Sequence, residues 1–270
     1  MLRVPTRKGN VESSLEMLAV DTSAHDPDSI TIRNAQIVYG LSAIATLLAL
    51  ASLAGQAIKF FVGFESFGVI PYGPEVVRSI TNVLHLNAEH NIPTFYSVVL
   101  HLSTCALLAL ICLVTSQQSR PNSGWWLILS LLFLYLAFDE AFQLHERLER
   151  PARALIDKEI IRAVGFGWII PGLTLALTVS LTMLRFVLSL PPKTRAGVFI
   201  AATLFLSGAT GMEMLGGRYR SMHGIEDFGY AVISTIEESL EMAGVIVMIG
   251  TLLSYLATTY PSCRIRFVPD

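Results

Sequence analysis

Six carboxylates stand inside or at the edges of long apolar runs: Asp139, Glu140, Glu213, Glu237, Glu238 and Glu241. A charged group within a bilayer costs roughly 2.5–3.5 kcal/mol on insertion scales, so such groups are rare there and pair with something. Carboxylates and histidines from several helices are the ligands of di-iron and di-manganese bundles. They are also the proton relays of pumps and transporters. The metal ligands these residue types suggest are Asp139, Glu140, Glu146, Glu213, Glu238 and Glu241, with His101 and His145. They would hold a divalent ion or a di-metal centre. Glu89, Gln143, Arg218 and Glu237 complete the polar cluster.

Spacing sorts these residues. On one continuous helix Asp139, Gln143 and Glu146 share a face, at four and three residues. Glu140 lies about 100° around from Asp139, and His145 is turned away from both. Glu237 and Glu238 each share a face with Glu241. The Glu-x-x-His pair typical of di-metal bundles is absent, and Glu140 to His145 has the wrong spacing to hold one ion from one helix.

The elements that must position this cluster are membrane spans. Of the 270 residues, 53% are hydrophobic and 15% charged, against about 25% charged in ordinary soluble domains. The mean hydropathy is +0.57. The apolar runs are long enough to cross a hydrocarbon core of about 30 Å. The expected fold is all-α: a bundle of six spans, at about 37–62, 93–115, 124–146, 163–190, 196–215 and 230–258. Two amphipathic interfacial helices are expected between spans, at 74–90 and 146–162, the second bent or restarted at Pro151. A polar tail, 1–33, precedes the bundle and a short one, 261–270, follows it. The first apolar run is too long, and too far from the N-terminus, for a cleavable signal. Trp125 and Trp126 are expected at headgroup level, and Pro171 as a kink within span four. Cys105 and Cys112 lie seven apart on one helix and cannot bond to each other.

Parity then gathers the cluster. The start of span two, the ends of spans three and five, and the start of span six all lie on one membrane side. His101 lies about 12 Å down span two on that same half. The opposite half carries Arg185, Lys193 and Arg195 and almost no other ionisable group.

Three readings follow: a metal site supporting membrane-embedded chemistry, a proton- or cation-coupled transporter, or a structural network in which Arg147, Arg218 and Arg220 neutralise the acids. Met212, Met214, Met242 and Met248 read as packing residues. His85, His90 and His223 read as loop or interface residues, and Glu149, Asp157 and Glu159 as a solvated face. No basic stripe with interleaved aromatics is present, which excludes a nucleic-acid binder. The partner expected is the lipid bilayer, with a homo-oligomer or membrane complex as a further possibility.

Four stretches carry a resemblance: Asn91-Ile92-Pro93-Thr94-Phe95-Tyr96-Ser97; Phe138-Asp139-Glu140 with His145-Glu146; Ser207-Gly208-Ala209 with Glu213; and Glu237-Glu238-Ser239-Leu240-Glu241-Met242-Ala243-Gly244. In these the chain resembles a family of uncharacterised bacterial multipass membrane proteins. The resemblance implies six spans and a bacterial inner-membrane location, and brings no activity with it. The Glu237-Glu238 pair also resembles that of intramembrane CAAX-type proteases, but Met242 and Ala243 follow Glu241 and that family's arginine is missing. Lys and Arg number 10 on the N-terminal side and 9 on the other. The expectation is an N-terminus inside and a cluster toward the periplasm.

Overall fold

The computed structural model describes residues 33–224 and 227–261. Residues from Asn34 onward form one compact unit, and the described residues are helical with no strand. The N-terminal tail, apart from Arg33, and most of the C-terminal tail with Cys263 lie outside the described residues. Among the described residues, six helices are long and apolar enough to cross a membrane.

Helix α1 (Asn34–Ala57) runs into a π turn, Ile58–Val62, and ends at Gly63 with φ 80°. A chain reversal with φ above zero suits a residue without Cβ. A short 3-10 turn, Phe64–Phe67, leads to α2 (Gly73–Val83), which carries Pro74 in its first turn. Val76, Ile80 and Val83 stay exposed on one face of α2, as in a helix lying at the interface. Its other face returns to α1: a Cβ on Gly55 would lie 3.0 Å from Thr81 Cγ2. Leu86 N–H donates to the buried Ser52 hydroxyl at 3.0 Å.

Helix α3 (Ile92–Gln117) starts at Asn91, whose side chain accepts from Thr94 N–H at 3.1 Å. This is N-capping, with Pro93 where its missing N–H costs nothing. Helix α4 (Ser123–Phe142) packs antiparallel along α3, with the Ser130 hydroxyl donating to Cys105 O at 3.0 Å. It stops at Gln143, which adopts φ 53° and ψ 47°. Three short helices follow: α5 (Leu144–Arg147), α6 (Glu149–Leu155) and α7 (Lys158–Val164). The second interfacial segment is thus broken, as Pro151 leads one to expect, with α6 starting two residues before that proline.

Helix α8 (Ile169–Ser189) has Pro171 in its first turn, so that proline begins the helix and does not kink it. Thr174, Thr178 and Thr182 each donate to the carbonyl four residues back, which satisfies their hydroxyls on a lipid-facing side. Helix α9 (Pro192–Leu206), a π turn (Ser207–Met212) and α10 (Glu213–His223) form one 32-residue run. Helix α11 (Phe228–Thr259) is capped by Asp227, which accepts from Gly229 N–H at 2.7 Å and from the Tyr219 hydroxyl at 2.7 Å. The Tyr219 hydrogen bond and those N–H groups hold the Asp227 carboxyl below its ordinary pKa range.

Helix α11 is the most buried of the six and packs against α1, α3, α9 and the π turn. The core around it includes Leu108, Ile111, Trp126 and Leu252. Trp126 is 1% exposed, edge-on to Phe186 and beside Tyr255. It packs inside the bundle instead of facing headgroups, because Phe186 and Tyr255 close over it. Large apolar side chains such as Leu47, Leu50, Leu113 and Leu181 line the outside, a surface suited to lipid. Cys105 and Cys112 are free thiols.

Candidate functional site

The acids converge at the end of the bundle where α1 finishes and α11 begins, marked by Phe61 and Phe228 with ring centroids 4.9 Å apart. At 1.5 Å per residue, Glu213 and Glu238 sit about 15 Å inside the ends of α10 and α11. Helix α4 is shorter, so its last turn brings Asp139 and Glu140 to their level. Glu140 interacts electrostatically with Glu89, His145 and Asp139. The strongest charged neighbours of Glu238 are Glu241, Glu140, Glu89 and Glu213. Those of Glu241 are Glu140, His145, Glu213 and Asp139. Glu237 is 9% exposed, and its carboxyl lies within hydrogen-bonding reach of Glu213. Glu238 and Glu241 are half-buried.

Gly208, in the π turn, makes room for this arrangement. A Cβ there would lie 2.7 Å from Glu237 O and 2.8 Å from Glu241 Cγ. A π turn within a helix is a rare local widening, frequent at functional sites.

His145 is placed differently from its sequence expectation. Gln143 takes the left-handed conformation and ends α4, so helical spacing does not continue to His145. The imidazole swings back: Nδ1 stands 2.8 Å from Asp139 Oδ2, and the His145 N–H donates to Oδ1 at 2.8 Å. Its ring lies 4.6 Å from that of Trp168. Burial tends to lower the His145 pKa, but the hydrogen bond and charge of Asp139, with Glu213 and Glu146, raise it to about 9. The shared face of Asp139, Gln143 and Glu146 is lost at the same break. Glu146 is exposed at the rim, while the Gln143 side chain bonds the Glu89 carboxylate and lies 3.3 Å from His90 Nδ1.

His101 lies at the floor. Ser130 and Cys105 are level, so His101 sits about 7.5 Å deeper than Asp139 along the bundle. It is 4% exposed, between the rings of Phe133 and Phe205, and it interacts electrostatically with Asp139. Its Nδ1 is 2.9 Å from Ser97 O. A carbonyl can only accept, so Nδ1 carries the hydrogen, and in the neutral ring the lone pair is on Nε2. That Nε2 is the one buried side-chain N or O atom among the described residues without a hydrogen-bond partner.

The arginines expected to neutralise the acids go elsewhere. Arg147 donates to Phe142 O at 3.1 Å, Arg220 lies over the Phe166 ring and bonds Tyr230, and Arg218 is exposed. Glu149, expected on a solvated face, instead accepts from Gly167 N–H at 2.6 Å and Trp168 N–H at 3.1 Å, and it pairs with Arg153. It thereby holds the turn before α8 and fixes Trp168 beside His145. The short helices dock on α10 through two glycines: a Cβ on Gly217 would lie 2.9 Å from Gly165 Cα. Sequence reasoning missed Gln143 as the turning point and Glu149 as an anchor of the following turn, whereas the small residues Ser207, Gly208 and Gly211 do read as a place where helices approach closely.

Among the described residues, no three His, Cys, Asp or Glu side chains are gathered closely enough to hold a metal ion. No curated protein and no solved structure matches the chain. The model of a family described as Domain of unknown function (DUF8692) matches residues 38–256, most of the bundle and every candidate site residue, and the chain belongs to that family.

Proposed function

We propose that this membrane protein binds a divalent cation in the cluster formed by Asp139, Glu140, Glu213, Glu238 and Glu241, with His101 and His145 as nitrogen ligands. The carrying observation is that the strongest charged neighbours of Glu238 are all carboxylates, Glu241 on its own helix and Glu140, Glu89 and Glu213 from three other elements. Carboxylates gathered out of water repel one another unless a cation or protons balance them. The histidines support the cation. Each has Nδ1 committed to an oxygen, Ser97 O for His101 and Asp139 for His145. Metal-binding histidines are oriented in this way, by a partner on the second ring nitrogen. A bound ion would supply Lewis-acid chemistry at the membrane.

The location that fits is a bacterial inner membrane with the N-terminus inside and the cluster toward the periplasm.

A second reading has its own observation: among the described residues no three His, Cys, Asp or Glu side chains are gathered at ion-holding distance. Protons alone then balance the charge, and the site serves a proton-coupled transporter. Titration of the lightly buffered, detergent-purified protein with Mn2+, Fe2+ or Zn2+ separates the two. Saturable uptake with release of protons, lost in Glu238→Gln, supports the metal. No uptake, together with a pH-driven flux in proteoliposomes that Glu238→Gln abolishes, supports the transporter and rejects the metal.

A further inference from the structure

The end of the bundle opposite the acids carries a pocket of about 190 Å³. Arg120, Asn122, Ser189, Tyr255 and Tyr260 line it, with Trp126 against the core. The turn between α3 and α4 shapes one wall. Ser119 and Asn122 have φ of 50° and 81°, and Arg120 N–H donates to Thr115 O at 3.1 Å. This folds the chain back so that the Arg120 guanidinium stands 5.2 Å from the centroid of the Tyr260 ring. The Tyr260 and Thr115 hydroxyls are 2.8 Å apart, which ties the end of α11 to the end of α3. Trp126, Phe186 and Tyr255 pack behind them.

Charge decides what fits. Arg120 is the one charged residue in the lining. The stretches 90–138, 160–212 and 242–261 contain no aspartate or glutamate, so nothing acidic on these segments offsets it. Arg185 and Lys193 are exposed just beyond Ser189 and Pro191 on either side in sequence. A planar guanidinium matches phosphate oxygens in a bidentate pair. Amide and hydroxyl donors beside it, with two tyrosines at the end of α11, suit the headgroup layer.

We propose that this pocket binds a phosphate-ester anion, Arg120 holding the phosphate and Asn122 and the Tyr260 hydroxyl contacting its oxygens. In the bilayer the source is the headgroup of an anionic phospholipid.

The test uses the full chain in a mild detergent. Native mass spectrometry counts retained lipid, and thermal unfolding follows titration with phosphatidylglycerol, phosphatidylcholine or inorganic phosphate. Phosphatidylglycerol is expected to be retained and to raise Tm, with phosphatidylcholine bound more weakly. Arg120→Ala should weaken phosphatidylglycerol retention about tenfold or more, the scale of one charge-assisted hydrogen bond. Arg120 is exposed, so this variant folds, and Arg78→Ala at the far end serves as a control that changes nothing. If inorganic phosphate alone raises Tm in an Arg120-dependent way, the phosphate site stands and its source is soluble. Retention unchanged in Arg120→Ala, or equal for both lipids, overturns the proposal.

Discussion

His145 places its Nδ1 2.8 Å from Asp139 Oδ2 and donates its backbone N–H to Asp139 Oδ1 at the same distance. One carboxylate at the end of α4 thus holds both the ring and the chain of a residue beyond the helix break. The pKa of His145 is raised from its ordinary 6.5 to about 9, so its contribution to stability is complete below pH 6.5 and is lost as pH rises through about 9. The charges acting on this imidazole include Asp139, Glu213 and Glu146, and it acts in turn on Glu140, Glu241 and Glu89. The Tm of the metal-free wild type should therefore decline between pH 6.5 and about 9. Asp139→Asn should start lower and lose most of that decline. Parallel curves for the two proteins would mean that the pair does not set the pH response.

His101→Leu separates a ligand from a packing residue. The substitution removes a buried ring nitrogen without a partner, in a site walled by Phe133 and Phe205. Replacing such a group by an apolar one of similar size is near neutral, so stability should change by about 1 kcal/mol or less. Divalent-metal retention should nevertheless fall at least about tenfold with the loss of one nitrogen ligand. Unchanged metal retention would remove His101 from the site.

Much of this arrangement can be read from the sequence, and the rest depends on backbone turns. The six-helix architecture follows from apolar runs longer than the bilayer core, and the one-sided gathering of acids follows from parity alone. Helical spacing fails at Gln143, because a glutamine at φ 53° carries no compositional sign of a break. That single turn converts His145 from a residue facing away into the partner of Asp139. The Trp126 expectation fails for another reason: a tryptophan near a helix start usually marks an interface, and only Phe186 and Tyr255, distant in sequence, turn it into core. Glu149 reads as one charge in a mixed run until the chain returns at Gly167 to meet it.

Gly208→Ala should destabilise the protein by about 1–3 kcal/mol, the range for inserting an extra methyl into a packed site. Its Cβ would meet backbone at Glu237 O, 2.7 Å away, as well as Glu241 Cγ. Gly211→Ala in the same π turn has nothing within 4 Å and should be neutral or slightly stabilising. Equal thermal denaturation of the two variants would show that close packing at Gly208 is not needed.

Glu149→Ala removes the acceptor for two N–H groups in the turn before α8. The expected loss is about 1–3 kcal/mol, the cost of leaving part-buried donors without a partner. Limited proteolysis should then cut the segment between Arg147 and Trp168 faster than in the wild type. An unaltered cleavage rate would argue against its role as an anchor.

The central claim is that the clustered carboxylates hold a divalent cation, and elemental analysis of the detergent-purified chain tests it most directly. After reconstitution with Mn2+, Fe2+ or Zn2+ and removal of excess metal, the wild type should retain about one or two ions per chain, the capacity of a mono- or di-metal centre. Glu238→Gln and Glu241→Gln should retain far less, while Glu149→Ala should keep wild-type content. No stoichiometric metal in the wild type under any of these conditions would contradict the account.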